Sequence, residues 1–391
     1  MEYTIVSEYV SSGHPDKLAD QISDNILDHY LKEDPNARCG IEVLVKDNVV
    51  VVSGEVNSSA KINVDEAVRE VFSEVKYPPS HNLTPNNIKV INLMGQQSPE
   101  ISSGVLDGDK IIGAGDQGLM VGYASNETEF YMPLGHEIAK RICEMVSRYS
   151  TGLGPDAKTQ VAVKYVDGTA VEISHILVSV QHETDDLDSV RKYVKDLINK
   201  VSPLGFSKDI YEKFFNGRDI HIDVNPCGVW HIGGPISDSG MTGRKIVVDA
   251  YGGYCNVGGG AYSGKDFSKV DRSAAYACRY LAKNIVASGI CDNAKVTVSY
   301  MIGVAQPRTL DIELNRNQEL APKIKQWINE NIDLTPSGIS EMFCGSVPRY
   351  RHTATYGHYG FGCKADQPAS LLIFPWEKID FADKIAALCN N

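Results

Sequence analysis

The chain has 391 residues, 42% of them hydrophobic and 23% charged, with a formal net charge of −12. That length exceeds one ordinary core and predicts two or three domains of soluble, globular composition. The negative surplus excludes a broad nucleic-acid surface, and no apolar run approaches the ~20 residues of a bilayer span, so neither nucleic acid nor membrane is expected as a partner.

At the N-terminus, Met1-Glu2-Tyr3-Thr4 has neither a basic start nor an apolar signal core. Beyond Gly13-His14-Pro15-Asp16, the spacing predicts an amphipathic helix over Lys17 to Leu31, with Leu18, Ile22, Ile26 and Leu27 on one face. A hairpin follows, Ile41 to Val45 and Val49 to Val52 about the turn Lys46-Asp47-Asn48; then come a helix over Val64 to Val75 and a short strand, Ile88 to Leu93. The pattern recurs from Pro133, with a helix to Arg148, strands over Val161 to Val166 and Ala170 to Val180, a helix over Leu187 to Val201 and the strand Ile220 to Val224. A third copy has the helix Arg272 to Ala287 stopped by Gly289, strands near Lys295 to Ala305 and Thr309 to Leu314, and a helix near Ala321 to Ile332. The repeat predicts an α+β fold of three similar domains related by pseudo-threefold symmetry, each a mixed sheet covered by helices. Expected divisions are 1–100, 113–231 and 232–378, with chain crossings between them allowed.

Two glycine patterns need their context. Gly113-x-Gly115-x-x-Gly118 matches a dinucleotide fingerprint, but Leu119 to Tyr123 reads as a strand where a helix should open. Gly259-x-x-x-x-Gly264-Lys265 approaches a P-loop, yet Asp266 follows where Ser or Thr should hold magnesium. It lies between a strand expected at Ile246 to Tyr251 and the Arg272 helix. Its glycines still let backbone N–H groups approach an anion beside a helix N-terminus. Around it lie Arg244, Lys245, Lys265, Lys269 and Arg272 with Asp238, Asp249, Asp266 and Asp271, interleaved with small residues, which favours a polyphosphate with its metal over a solvated face. In Gly13-His14-Pro15-Asp16-Lys17, Asp16 is either a cap or a magnesium ligand, and His14 either an ordinary loop residue or a donor to a phosphate or leaving oxygen. His136, His175 and His182 read as structural, as do the scattered cysteines, nine in all without a C-x-x-C pair. Such cysteine usage suits neither disulfides nor zinc and points to a reducing cytoplasm.

Together Gly13 to Asp24, Gly115-Asp116-Gln117-Gly118, Asn126-Glu127-Thr128, Gly233-Gly234-Pro235, Thr242-Gly243-Arg244-Lys245, Ser263 to Asp266 and Lys269 to Tyr276 resemble S-adenosylmethionine synthetases, from Ser7 to about Lys378. The resemblance implies a three-domain fold, synthesis of S-adenosylmethionine from ATP and L-methionine, and hydrolysis of the resulting triphosphate to pyrophosphate and phosphate. It further implies Mg²⁺, K⁺, and a homodimer or dimer of dimers with active sites between subunits. By that resemblance His14, Asp156, Lys158, Trp230, Asp238, Arg244, Lys245, Ala261 and Lys265 contact ATP, with His14, Lys158, Arg244, Lys245 and Lys265 catalytic. Glu55, Gln97, Asp116, Asp238 and Lys269 contact methionine; Asp16 and Asp271 serve magnesium and Glu42 potassium. The segment 97–112 corresponds to a mobile active-site loop, and its Gly and Asp content suits a lid. The chain departs from the family at Val229, where Arg is common, at Trp230, where Phe is usual, and in extra residues over 361–372. The rival readings are another Mg-dependent ATPase or phosphotransferase, and a silent binding subunit of the same family.

Overall fold

The computed structural model describes residues 1–96, 106–107, 110–111, 113–148, 152–200, 206–343, 349–360 and 374–390. Gln97, most of the 97–112 segment and the 361–372 insertion lie outside the described residues. The first stretch holds β1 (Glu2–Val10), α1 (Pro15–Glu33), β2 (Arg38–Lys46), β3 (Val49–Asn57), α2 (Val64–Val75), β4 (Lys89–Asn92) and β5 (Gly95–Gln96). Two short strands, β6 (Leu106–Asp107) and β7 (Lys110–Ile111), pair with each other. Next come β8 (Gly118–Ser125), α3 (Leu134–Arg148), β9 (Leu153–Val166), β10 (Thr169–His182), α4 (Leu187–Lys200), α5 (Lys208–Phe214) and β11 (His221–Val224). The last stretch holds β12 (Gly240–Met241), α6 (Ile246–Asp249), α7 (Val270–Ala287), β13 (Asn293–Tyr300), β14 (Thr309–Leu314), α8 (Ala321–Asn331), α9 (Pro336–Phe343) and α10 (Ala382–Asn390).

Besides the β6-β7 pair, three larger sheets form among the described residues, in the orders β12-β2-β3-β4, β1-β9-β10-β11 and β14-β13-β8, with β5 also on β3. Each takes one strand from another third of the chain, in a cycle. β1 joins the sheet of β9, β8 joins that of β13, and β12 joins that of β2, each antiparallel. The threefold repeat is therefore present, with every sheet closed by a borrowed edge. In the first two sheets a helical crossover returns the chain as a parallel strand, β4 beside β3 and β11 beside β10. Among the described residues the third sheet has no such strand, since α8 leads into α9.

The alternation of each hairpin fixes its buried face. Ile41, Val43 and Val45 of β2 and Val50 and Val52 of β3 are at most 2% exposed, packed with Leu18, Ile22 and Ile26 of α1. That core is continuous with α7, β8, β13 and β14, while α3 and the sheet of β9 enclose a second one. Several expectations change: β3 runs on to Asn57 and β9 opens at Leu153, both longer than expected. Ile246 to Tyr251 is not a strand: Asp249 N–H bonds to Lys245 C=O and Ala250 N–H to Ile246 C=O, forming the single turn α6. A run of β-branched residues favours a strand by local propensity; the helical turn formed instead buries Val248 and sends Asp249 onto Lys17. The strand expected to reach Ala305 stops at Tyr300, where its partner β8 begins at Gly118.

The helix α7 is anchored by charge. Arg279 makes two bonds to Glu377, at 2.9 and 3.0 Å, and donates to the carbonyls of Tyr123, Phe130 and Tyr131. Lys283 adds a third cation–carboxylate contact at 2.6 Å, and all three side chains are fully buried. Burial alone would raise the Glu377 carboxyl, but Arg279 and Lys283 outweigh it and hold it at about 2. Its folded-state value lies below its unfolded value, so its stabilisation is complete above the unfolded value near 4.5 and is lost as pH falls through about 2. Glu377→Gln leaves two buried cations without their counter-charge and should lower stability by about 3–5 kcal/mol at neutral pH, with the deficit shrinking in strong acid. Urea unfolding across pH measures both; an unchanged midpoint at neutral pH contradicts the assignment.

Candidate active site

The end of β1 places the first motif. Val10 pairs with Lys158 of β9, and beyond it Ser11 and Gly13 stay bonded to Ala157 and Pro155. A Cβ at Gly13 would lie 2.5 Å from the Pro155 carbonyl, so only glycine lets the chain pass. Pro15 then starts α1, with His14 as its N-cap: Nδ1 of His14 accepts the N–H of Asp16 at 3.2 Å. Burial, reinforced by Lys245, pushes the His14 ring down to about 4, so it is neutral near pH 7. With Nδ1 accepting, the neutral ring carries its proton on Nε2 and offers a donor away from the helix.

Helix α1 is buried on both faces. Its carboxylates at one-turn spacing clamp the later chain: Asp16 accepts Met241 N–H, Asp20 accepts Gly243 N–H, Asp24 accepts Gly264 N–H, and Asp28 accepts the N–H groups of Tyr350 and Arg351. Cations complete the row. Lys245 reaches Asp16 at 2.5 Å with Arg244 at 3.5 Å; Lys17 bridges Asp20 and Asp249; Arg272 binds Asp24 through both oxygens. Sequence reading anticipated Asp16 here and missed Lys17, Asp20, Asp24 and Asp249 as buried partners; the i, i+4 spacing of Asp16, Asp20 and Asp24 was the available signal.

The two glycine patterns come together. A Cβ at Gly258 would lie 2.2 Å from the Leu119 carbonyl, one at Gly260 would lie 2.0 Å from the Asp271 carboxyl carbon, and Gly118 lies 3.5 Å from Asp271 by the same measure. Asp271 binds Lys265 at 2.6 Å, and Lys265 bridges to Gly40 of β2. Opposite on β3 is Glu55, and its side chain and that of Lys269 lie 3.8–3.9 Å from where a Cβ of Gly40 would sit. Glu42 follows on β2 with its side chain exposed.

The remaining expected residues fall around these. Ala261 lies against Gly243. Asp156 is buried, with Oδ2 accepting Gly234 N–H at 2.7 Å and Oδ1 lacking a partner among the described residues; burial, then repulsion from Asp238, pushes it up to about 7. Lys158 pairs with Glu8 at 2.7 Å; Asp238 is exposed and accepts Ser239 N–H; Trp230, half-buried, bonds Ile232 C=O through its indole N–H. Asp116 accepts only the adjacent Gln117 N–H among the described contacts. The structure thus gathers His14, Asp16, Asp156, Lys158, Asp238, Arg244, Lys245 and Ala261 near the start of α1. Glu42, Glu55, Lys265, Lys269 and Asp271 gather beside its middle. The contacts at Asp16 and Asp24 are eight residues apart, about 12 Å along the helix.

Comparison with known proteins gives three successive matches, to the N-terminal, central and C-terminal domain models of S-adenosylmethionine synthetase, at residues 2–99, 111–230 and 232–378. The chain is 44% identical over 394 residues to an S-adenosylmethionine synthase of a Sulfurovum species, covering 99% of this chain and 98% of that one. It is 42% identical over 398 residues to the synthase so named from Wolinella succinogenes, covering 100% and 99%. The Helicobacter hepaticus protein of the same name is 42% identical over 397 residues, covering 99% and 98%.

Gly264 has φ +82°, and a Cβ there would lie 2.1 Å from Ile41 C=O. Gly264→Ala should therefore destabilise the chain by about 1–3 kcal/mol and displace Lys265. Calorimetry with inorganic tripolyphosphate should show weakened binding, and undiminished affinity would contradict a role for this loop in holding polyphosphate.

Proposed function

The chain belongs to the S-adenosylmethionine synthetase family, and from that membership we propose how its residues make S-adenosylmethionine from ATP and L-methionine. The methionine sulfur attacks C5′ of ATP, and the triphosphate released is hydrolysed to pyrophosphate and phosphate. Sulfur is a neutral, soft nucleophile with no proton to lose, so no general base is required. The barrier lies in alignment and in the negative charge that grows on the departing triphosphate. The observation that carries the reading is the pairing of Lys245 with Asp16 and of Lys265 with Asp271. Each pair joins a group suited to phosphate with one suited to a cation.

In this proposal His14 donates its Nε2–H to the leaving oxygen, worth a few kcal/mol as for an oxyanion-hole donor. Arg244, Lys245, Lys265 and Lys158 hold the phosphates. Asp156, whose buried Oδ1 has no partner among the described residues, takes a donor of the nucleotide, while Asp238 and Ala261 line it and Trp230 stacks on the purine. The carboxylates of Asp16 and Asp271 are the hard oxygen donors that magnesium takes, and the missing Cβ of Gly260 lets the Asp271 carboxylate lie against that backbone. When bound, Mg²⁺ neutralises phosphate charge. Glu42 is proposed for K⁺. Glu55 and Lys269 present opposite charges that suit the two ends of a zwitterion, with Gln97, Asp116 and Asp238 completing the methionine site. The segment 97–112 acts as its lid.

The two clusters lie about 12 Å apart along α1, and several of their charges are exposed. Exposed Leu44, Ile91, Leu93, Leu119, Met301 and Ile302 support a covered face. A homodimer or dimer of dimers, with sites completed between subunits, is the assembly proposed. The free thiols favour the cytoplasm; among the described residues no helix is long and apolar enough to cross a membrane.

With ATP, Mg²⁺ and K⁺, mass spectrometry should find S-adenosylmethionine only when methionine is present; its absence sinks the reading in favour of another ATPase or a silent subunit. His14→Ala should slow sulfonium formation by roughly 10²–10³-fold and spare hydrolysis of added tripolyphosphate. Equal loss of both steps defeats that role. Exchanging Glu55 or Lys269 should raise KM for methionine before KM for ATP, and the reverse order counts against the methionine assignment.

A further inference from the structure

The parallel register of β10 and β11 sets His175 beside His221. Residues two apart on a strand share a face, so Asp223 joins them. Its Oδ2 is 3.0 Å from His175 Nε2 and 3.2 Å from His221 Nε2, and the two rings stack with centroids 5.2 Å apart. One donor atom from each residue lies within 4.8 Å of the others. The side chains stay open to solvent, His221 at 71%. Seven residues along β10, His182 bonds the Trp230 carbonyl. At about 3.3 Å per residue, the cluster stands about 23 Å from the proposed adenine position.

Ligand atoms at 2.0–2.1 Å in a tetrahedral shell are about 3.3 Å apart. The two carboxylate–imidazole separations need only a small opening to match. We propose that His175, His221 and Asp223 bind a borderline divalent transition-metal ion such as zinc. The ion joins β11 to β10 and leaves a coordination position for water. Two imidazoles suit such an ion and not magnesium, which prefers an oxygen shell. The site is thus distinct in chemistry and in place from Asp16 and Asp271. None of its residues belongs to the adenosyl-transfer machinery. Sequence reading took His175 as structural because the pairing that brings it to His221-x-Asp223 spans 46 residues.

The test uses the full chain, freed of metal and kept in millimolar Mg²⁺, titrated with Zn²⁺ against a chromophoric zinc indicator. Wild type should hold one zinc per chain more than His221→Asn or Asp223→Asn, whose affinity at this site falls at least about tenfold. Zinc should raise the Tm of wild type and not of the variants, while S-adenosylmethionine formation is unchanged in them. Exposed Cys227 can hold zinc too, so the difference between wild type and variant decides. Equal zinc and equal Tm shifts overturn the site and leave Asp223 as a plain hydrogen-bond bridge. If a variant fails to fold, the native protein decides: zinc should slow carbethoxylation of His221 several-fold, and unchanged labelling overturns the proposal.

Discussion

The buried row of carboxylates on α1 is the constraint from which the rest of the architecture follows. Asp16, Asp20 and Asp24, with the half-buried Asp28 after them, accept hydrogen bonds from backbone N–H groups 223 to 323 positions further along the chain. Charges removed from water are costly unless each is paired and fully hydrogen-bonded, so α1 settles only where Lys245 and Arg272 can meet its carboxylates and Asp249 can meet its Lys17. Lys17 sits between Asp20 and Asp249, and burial helps push Asp249 up to about 7. The same contacts that satisfy the helix lay the 240–272 segment along it. Building the core and building the candidate site are one event.

The cyclic exchange of strands has a similar consequence. Because β1, β8 and β12 each complete a sheet made mainly by another third of the chain, the thirds do not separate cleanly. His14 lies just after β1, and its loop rests on Pro155 and Ala157; Gly118 opens β8 and lies by Asp271. Asp238 precedes β12. The borrowed strands thus carry residues from one third of the chain to a site built by another. Glycines at these junctions allow backbones to touch where any side chain would collide.

Much was legible without the fold. Apolar periodicity identified α1, α2, α3, α4, α7 and α8 and the three hairpins to within a few residues, except for the late end of β3, the early start of β9 and the early end of β13, because burial of one face imposes a period of 3.6 or 2 on the residues themselves. The motif residues His14, Asp16, Lys245, Lys265 and Asp271 were likewise visible, since glycine and charge at fixed spacing reflect local backbone demands. Less was visible where a choice was not local. Ile246 to Tyr251 favours a strand locally, and the helical turn it adopts places Asp249 on Lys17.

By itself, then, the sequence determined the repeat, the element types and the chemistry-bearing loops, all properties set by neighbours within a few residues. Only the tertiary structure decided that the polar face of α1 is buried and that β1, β8 and β12 cross between sheets. It also decided that His14 presents Nε2–H, and that His175 meets His221 and Asp223. Each of these depends on a partner far away in the chain, and pairing across such distances leaves no period in the residues to read.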